Sequence, residues 1–157
     1  MKTLKLGAKD FKESDSYYKI YIGKTDVSDF DGHIEIEGNL GRVKFNSIKA
    51  SGHIISEAGC GIEAGEGIKA GWGIEAGWGI FCKLSLNISL RIFAGLCLWR
   101  KPTDDETKII CGKLEKGEVC YGNLIETGLP EEKKEVSLSG KEVSVTIDKV
   151  TYSAIIK

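Results

Sequence analysis

Ile62–Gly79 reads IEAGEG, IKAGWG, IEAGWG: three consecutive six-residue units with Ile first, Ala third, and Gly fourth and sixth. Self-similarity at so short a period marks a chain that stacks on itself. Working outward, IKASGH begins at Ile48 and the eight-residue IISEAGCG at Ile54, while IFCKLS, LNISLR and IFAGLC begin at Ile80, Leu86 and Ile92. The extra length of the second unit is an even number of residues, so it leaves the alternation of side chains intact.

From Ile62 to Leu98 every even position except Glu66 is apolar, including Trp72, Trp78, Leu84 and Leu90. The odd positions are mostly Gly, Glu, Lys, Ser, Asn and Arg. A period of two is the signature of extended chain with one face buried, and a helical period would scramble it within two turns. A single strand of this length lies far outside the usual range of about 3–10 residues. The chain must therefore bend repeatedly, and Gly at the fourth and sixth slots supplies both freedom at corners and room where neighbouring segments approach. This predicts an all-β fold containing a short β-solenoid of six-residue repeats, about three coils long. Three units per coil would stack Ile62 on Ile80, Ile68 on Leu86, Ile74 on Ile92, Trp72 on Leu90 and Trp78 on Leu96. An antiparallel meander shares the alternation but calls for Asn-Gly or Asp-Gly turns, and none occurs here.

The tract resembles the hexapeptide-repeat β-solenoids, and its Gly-Ile-Glu/Lys-Ala-Gly-Trp motif is similar to stretches in uncharacterised bacterial and bacteriophage proteins. The resemblance covers about a third of the chain. It departs from the hexapeptide acyltransferases at the slot two positions before each aliphatic residue. That slot holds a small residue in those enzymes and Glu66, Trp72, Trp78, Leu84 and Leu90 here, so their activity is not carried over.

Residues 48–99 carry only four bases and four acids, against 22 basic and 23 acidic residues in the whole chain. This divides the sequence into a β-rich N-terminal cap (1–47), the repeat (48–99), and a linker with a β-hairpin C-terminal cap (100–157). Strand-like runs stand at Tyr17–Ile22, His33–Glu37 and Val43–Phe45 in the first part. In the last part, the alternation of Val143, Val145 and Ile147 with Val150, Tyr152, Ala154 and Ile156 predicts a closing hairpin.

The 157 residues make one domain's worth of chain, and the net charge of −1 provides no basic field, so direct nucleic-acid binding is not expected. The 20 glycines with only two prolines exclude a collagen-like composition. Neither a secretory leader nor a membrane helix is read, which predicts a cytoplasmic protein. Cys60, Cys82, Cys97, Cys111 and Cys120 lack metal-ligand spacing and are expected to be reduced, packed thiols; no metal or cofactor is predicted. Gly23-Lys24-Thr25 lacks the first glycine of a phosphate-binding loop, since position 18 is Tyr. His33 and His53, the two histidines, show no spacing that would make either the base for Cys60. Asp104, Asp105 and Glu106 read as a solvated linker rather than a cation site.

The expected function is therefore a non-enzymatic protein-binding module, of which a small phage-type inhibitor of a host defence enzyme would be one form. Trp72 and Trp78 are assigned to the core by parity and to a binding platform if the corners turn them outward. Glu63, Lys69 and Glu75, one per unit on the outer face, would set the partner's charge pattern. The partner is another protein or a second copy of the chain. The alternatives are a small-ligand binder or enzyme with a cleft near His53, Trp99 and Tyr121, and a self-assembling structural protein.

Overall fold

The structure, a computed structural model, describes residues 1–14, 17–97, 100–130, 142–147 and 150–155. It is all β apart from one 3-10 turn at Ala8–Asp10. The strands before the repeat are β1 (Thr3–Leu6), β2 (Phe11–Glu13), β3 (Tyr18–Tyr21), β4 (His33–Ile36) and β5 (Gly41–Phe45). Within the repeat stand β6 (Ile48–Ala50), β7 (Ile54–Ser56), β8 (Cys60–Ala64), β9 (Ile68–Ala70), β10 (Ile74–Ala76), β11 (Ile80–Cys82) and β12 (Ser85–Ala94). After it come β13 (Lys108–Cys111), β14 (Lys113–Tyr121), β15 (Asn123–Glu126), β16 (Glu142–Ile147) and β17 (Val150–Ile155). No helix among the described residues is long and apolar enough to cross a membrane.

Sheet A is parallel throughout, in the order β1-β4-β7-β10-β12-β9-β6, with β14 also on β12. It curls into a half-barrel because β12 serves two neighbours. Leu86–Ile88 pairs with β9, Ile92–Ala94 pairs with β10, and Ser89–Leu90 turns the corner between them. Sheet B, β15-β13-β11-β8-β5-β3-β2, is mixed, its β2–β3 pair being antiparallel.

This corrects the expected solenoid of six-residue coils. The parallel steps predicted at Ile62/Ile80, Ile68/Leu86 and Ile74/Ile92 are present, but the step is not a constant of the fold. It is 20 residues at Ile34/Ile54, Ile54/Ile74 and Ile48/Ile68, 19 at Val43/Ile62, and 29 at Ile80/Ile109. The steps of 20 within the repeat arise because each crosses the eight-residue unit, whose surplus is absorbed in the turn where Gly59 takes φ +74. Nor do the ladders stop at the edges of the repeat: β4 and β5 join β7 and β8 on one side, and β13 and β14 join β11 and β12 on the other.

The core lies between the sheets as stacked rows. Ile34, Ile54, Ile74 and Ile92 form one, and Val43, Ile62, Ile80 and Ile109 another, all essentially without exposed surface. Ser56, the buried polar residue in this interior, donates its hydroxyl to the Cys60 carbonyl at 2.9 Å. The even positions do not form one continuous buried face. Those in the fifth slot turn outward at the corners, so that Glu66, Trp72, Leu84 and Leu90 are exposed and Trp78 half-buried. The C-terminal hairpin forms by antiparallel pairing of β16 with β17; Leu98, Trp99 and Ile156 lie outside the described residues.

Candidate functional site

The outer surface of sheet A is a grid whose rows run across the strands. One row passes His33, His53, Gly73, Arg91 and Glu118; the next passes Lys5, Glu35, Ile55, Glu75 and Phe93. Gly73 contributes no side chain to its row, and a methyl there would approach the Arg91 carbonyl oxygen to 3.0 Å. The gap at Gly73 becomes the floor of a groove of about 750 Å³. His53 and Arg91 stand on either side of it, Glu75 lies two residues further along the strand, and Ile55 and Phe93 occupy the diagonals.

The remaining wall is the corner itself. Trp72 is 49% and Leu90 59% exposed, and they adjoin, since the Leu90 amide donates to the Trp72 carbonyl at 3.1 Å. On the other side of Trp72 the two histidines stack at 3.9 Å between ring centroids, and Trp72 meets His33 edge-on at 5.0 Å. The backbone amide of His53 donates to Nδ1 of His33 at 3.1 Å, which fixes the stack. Nε2 of His53 is shielded and unbonded, 3.8 Å from the Glu35 carboxylate. Burial and the neighbouring His33 push the His53 pKa down, with Glu35 opposing, so the ring is neutral near pH 7. The indole is thereby held by a rigid aromatic support rather than loose on the surface.

The groove's charged side chains are unpaired. Among the described residues the side chains of Glu75, Arg91 and Glu118 make no hydrogen bond or ion pair, although Glu75 lies within electrostatic reach of His53. Ion pairs elsewhere join Lys5 with Glu35, Lys49 with Asp29, and Lys108 with Asp105. A second groove, of about 440 Å³ on sheet B beside the exposed Ile20, is self-satisfied by comparison. Its Lys44 lies over the Tyr18 ring and pairs with Glu63 at 2.9 Å.

Of the predicted contact residues, the structure brings Trp72 and Glu75 together and disperses the others. Trp78 faces a slot of about 180 Å³ with Arg42, Phe81 and Glu106, and its carbonyl accepts from Gly95 rather than Leu96. Glu63 lies on sheet B, engaged by Lys44 and, at 4.0 Å, Arg42. Lys69 is exposed on β9, beside Lys49 and Leu84 in a separate shallow groove. Leu90, Arg91, Phe93 and Gly73 were not singled out by the sequence, although the 18-residue step already sets Leu90 beside Trp72.

The other candidates resolve simply. Burial pushes the thiols of Cys60 and Cys82 up to about 12, so neither is a thiolate nucleophile. Glu106 is clamped by both guanidinium nitrogens of Arg100 and by the Thr103 amide, and its carboxyl is held at about 2. Among the described residues no cluster of His, Cys, Asp or Glu is arranged to hold a metal. The chain matches no protein-family model, no curated protein and no solved structure.

Proposed function

We propose that the protein is a binding module that receives a segment of another protein in the sheet A groove. The observation that carries this reading is the pair of adjoining exposed side chains, Trp72 and Leu90, held on a rigid corner above unpaired charges. An indole about half exposed loses hydration-unfavourable area only when something covers it, and a central aromatic rimmed by polar groups is the usual composition of an interface hot spot. Parallel strands hydrogen-bonded on both sides keep the groove preformed, which lowers the ordering cost of association.

The test is site-specific photocrosslinking in the source cell. A photoreactive residue at position 90 should give one dominant protein adduct, and Trp72→Ala should abolish it. The same residue at position 69, on another part of sheet A, should give none. Equal adducts from both positions, or an adduct indifferent to Trp72→Ala, would refute the reading.

A second reading is favoured by the groove's size, which falls within the range of about 300–1,000 Å³ typical of small-molecule sites. Its lining includes His53 and, from β14, Gly117 and Glu118. A planar small molecule found there by ligand-observed NMR, and displaced by Trp72→Ala, would establish this alternative.

A further inference from the structure

We infer that the groove selects a partner segment carrying a basic side chain, arginine or lysine, between apolar residues. The inference rests on the reading of the groove as a protein-binding surface and adds the chemistry of what occupies it. Glu75 sits in register between two apolar neighbours, Ile55 on β7 and Phe93 on β12, with Trp72 three residues before it on its own chain. Any occupant that covers Trp72, Ile55 and Phe93 also covers this carboxylate. Among the described residues the Glu75 carboxylate has no hydrogen bond or ion pair to compensate for lost water, and an ionised carboxylate left unpaired under an apolar cover is strongly disfavoured.

The nearby groups do not relieve this. His53 faces Glu75 as a neutral ring, its pKa pushed down by burial and His33, and Glu35 is already paired with Lys5 at 3.6 Å. Arg91 is the one cation of the lining, and its register partner on β14 is the equally unpaired Glu118. With one cation against two carboxylates, Glu75 and Glu118, the lining carries one surplus negative charge. The occupant must bring the cation. A guanidinium or ammonium directed at Glu75 would also lie beside the Trp72 face, where cation–π attraction adds to the ionic contact. Arg91 is then satisfied by acceptors of the same segment, such as its backbone carbonyls.

The experiment uses the purified full chain and three peptides, fluorescein-Gly-Gly-Leu-X-Leu-Gly-amide labelled through the N-terminal amine, with X as arginine, its neutral isostere citrulline, or glutamate. Fluorescence anisotropy should show the arginine peptide binding at least tenfold more tightly than the citrulline peptide, and the glutamate peptide most weakly. Glu75→Gln should remove that tenfold advantage and leave citrulline binding unchanged, while Glu63→Gln, on sheet B, should alter nothing. Glu118→Gln, a second carboxylate variant, should weaken the arginine peptide less than Glu75→Gln does. Arginine and citrulline peptides binding equally, or an advantage that survives Glu75→Gln, would overturn the inference and leave the groove reading standing. Absence of binding by all three peptides, or binding indifferent to Trp72→Ala, would overturn both.

Discussion

Gly65 and Gly71 hold the same slot in consecutive units, yet alanine should be tolerated at the first and damaging at the second. Neither has a positive φ, so the difference is one of space. A methyl on Gly65 would find its nearest neighbour, the Asn46 carbonyl oxygen, at an ordinary 3.5 Å. A methyl on Gly71 would overlap the Ser51 carbonyl oxygen and lie 2.8 Å from its carbon, where carbon atoms prefer about 3.5–4.0 Å. Relief needs a shift of roughly 1 Å on that preferred spacing, and both segments are tied. Gly71 donates to Ala50 at 2.9 Å, and Ser51 donates to Phe30 at 3.0 Å. Overpacking costs about 1–3 kcal/mol, and a ladder hydrogen bond lost in the adjustment adds about 1 kcal/mol. A total of about 3 kcal/mol lowers the melting temperature by roughly 6–12 °C for a chain of this size. Gly65→Ala instead restricts the unfolded chain, worth about 0.4–1 kcal/mol in favour of the fold. Differential scanning calorimetry of the two variants beside the parent decides the matter. Gly77→Ala should follow Gly71→Ala, since its methyl would lie 2.6 Å from the Ala58 Cα. Equal melting temperatures for Gly65→Ala and Gly71→Ala would refute the close-approach account.

Two further outcomes follow from the side-chain environments. A charged thiol reagent should modify exposed Cys120 rapidly in the native protein and leave Cys60, Cys82 and Cys111 unmodified until unfolding, because all three are buried with raised pKa values; peptide mapping that finds Cys60 labelled as fast as Cys120 would contradict the packing. The fold lowers the pKa of His53, so between that value and the unfolded value of about 6.5 the unfolded chain binds a proton the native chain does not. Stability should therefore rise with pH across that window and level off above it, and His53→Gln should flatten this part of the profile. A parent protein that melts higher at pH 5 than at pH 7, with the difference abolished by His53→Gln, would reverse the sign.

Much of the interior was legible from alternation. The Ile rows, their inward direction and the 18-residue steps follow from one buried face and a six-residue period, and the longer step follows from the two extra residues of the second unit. Alternation is silent about where a chain turns, however. A corner takes up two residues without disturbing parity, so Trp72 and Leu90 share the pattern of core positions while standing outside the core. The glycines mislead in a similar way. Between Gly61 and Gly79 none has a positive φ; they serve close approach rather than unusual backbone conformation. A repeat also cannot say which unit joins which sheet. Glu63 and Glu75 look equivalent in sequence, yet one meets Lys44 on sheet B and the other lies unpaired on sheet A.

The varying step between neighbouring strands bears on how the molecule yields to force. No strand partner described here lies more than 30 residues away along the chain, the longest link being Thr3 to His33. The closure entropy of each link is correspondingly small and similar. Tension applied at the termini has no single distant contact to break. Each detached layer of 18 to 20 residues, as between Ile62 and Ile80 or Ile54 and Ile74, releases about 60–70 Å of slack, so the protein is built to unravel in instalments rather than to snap.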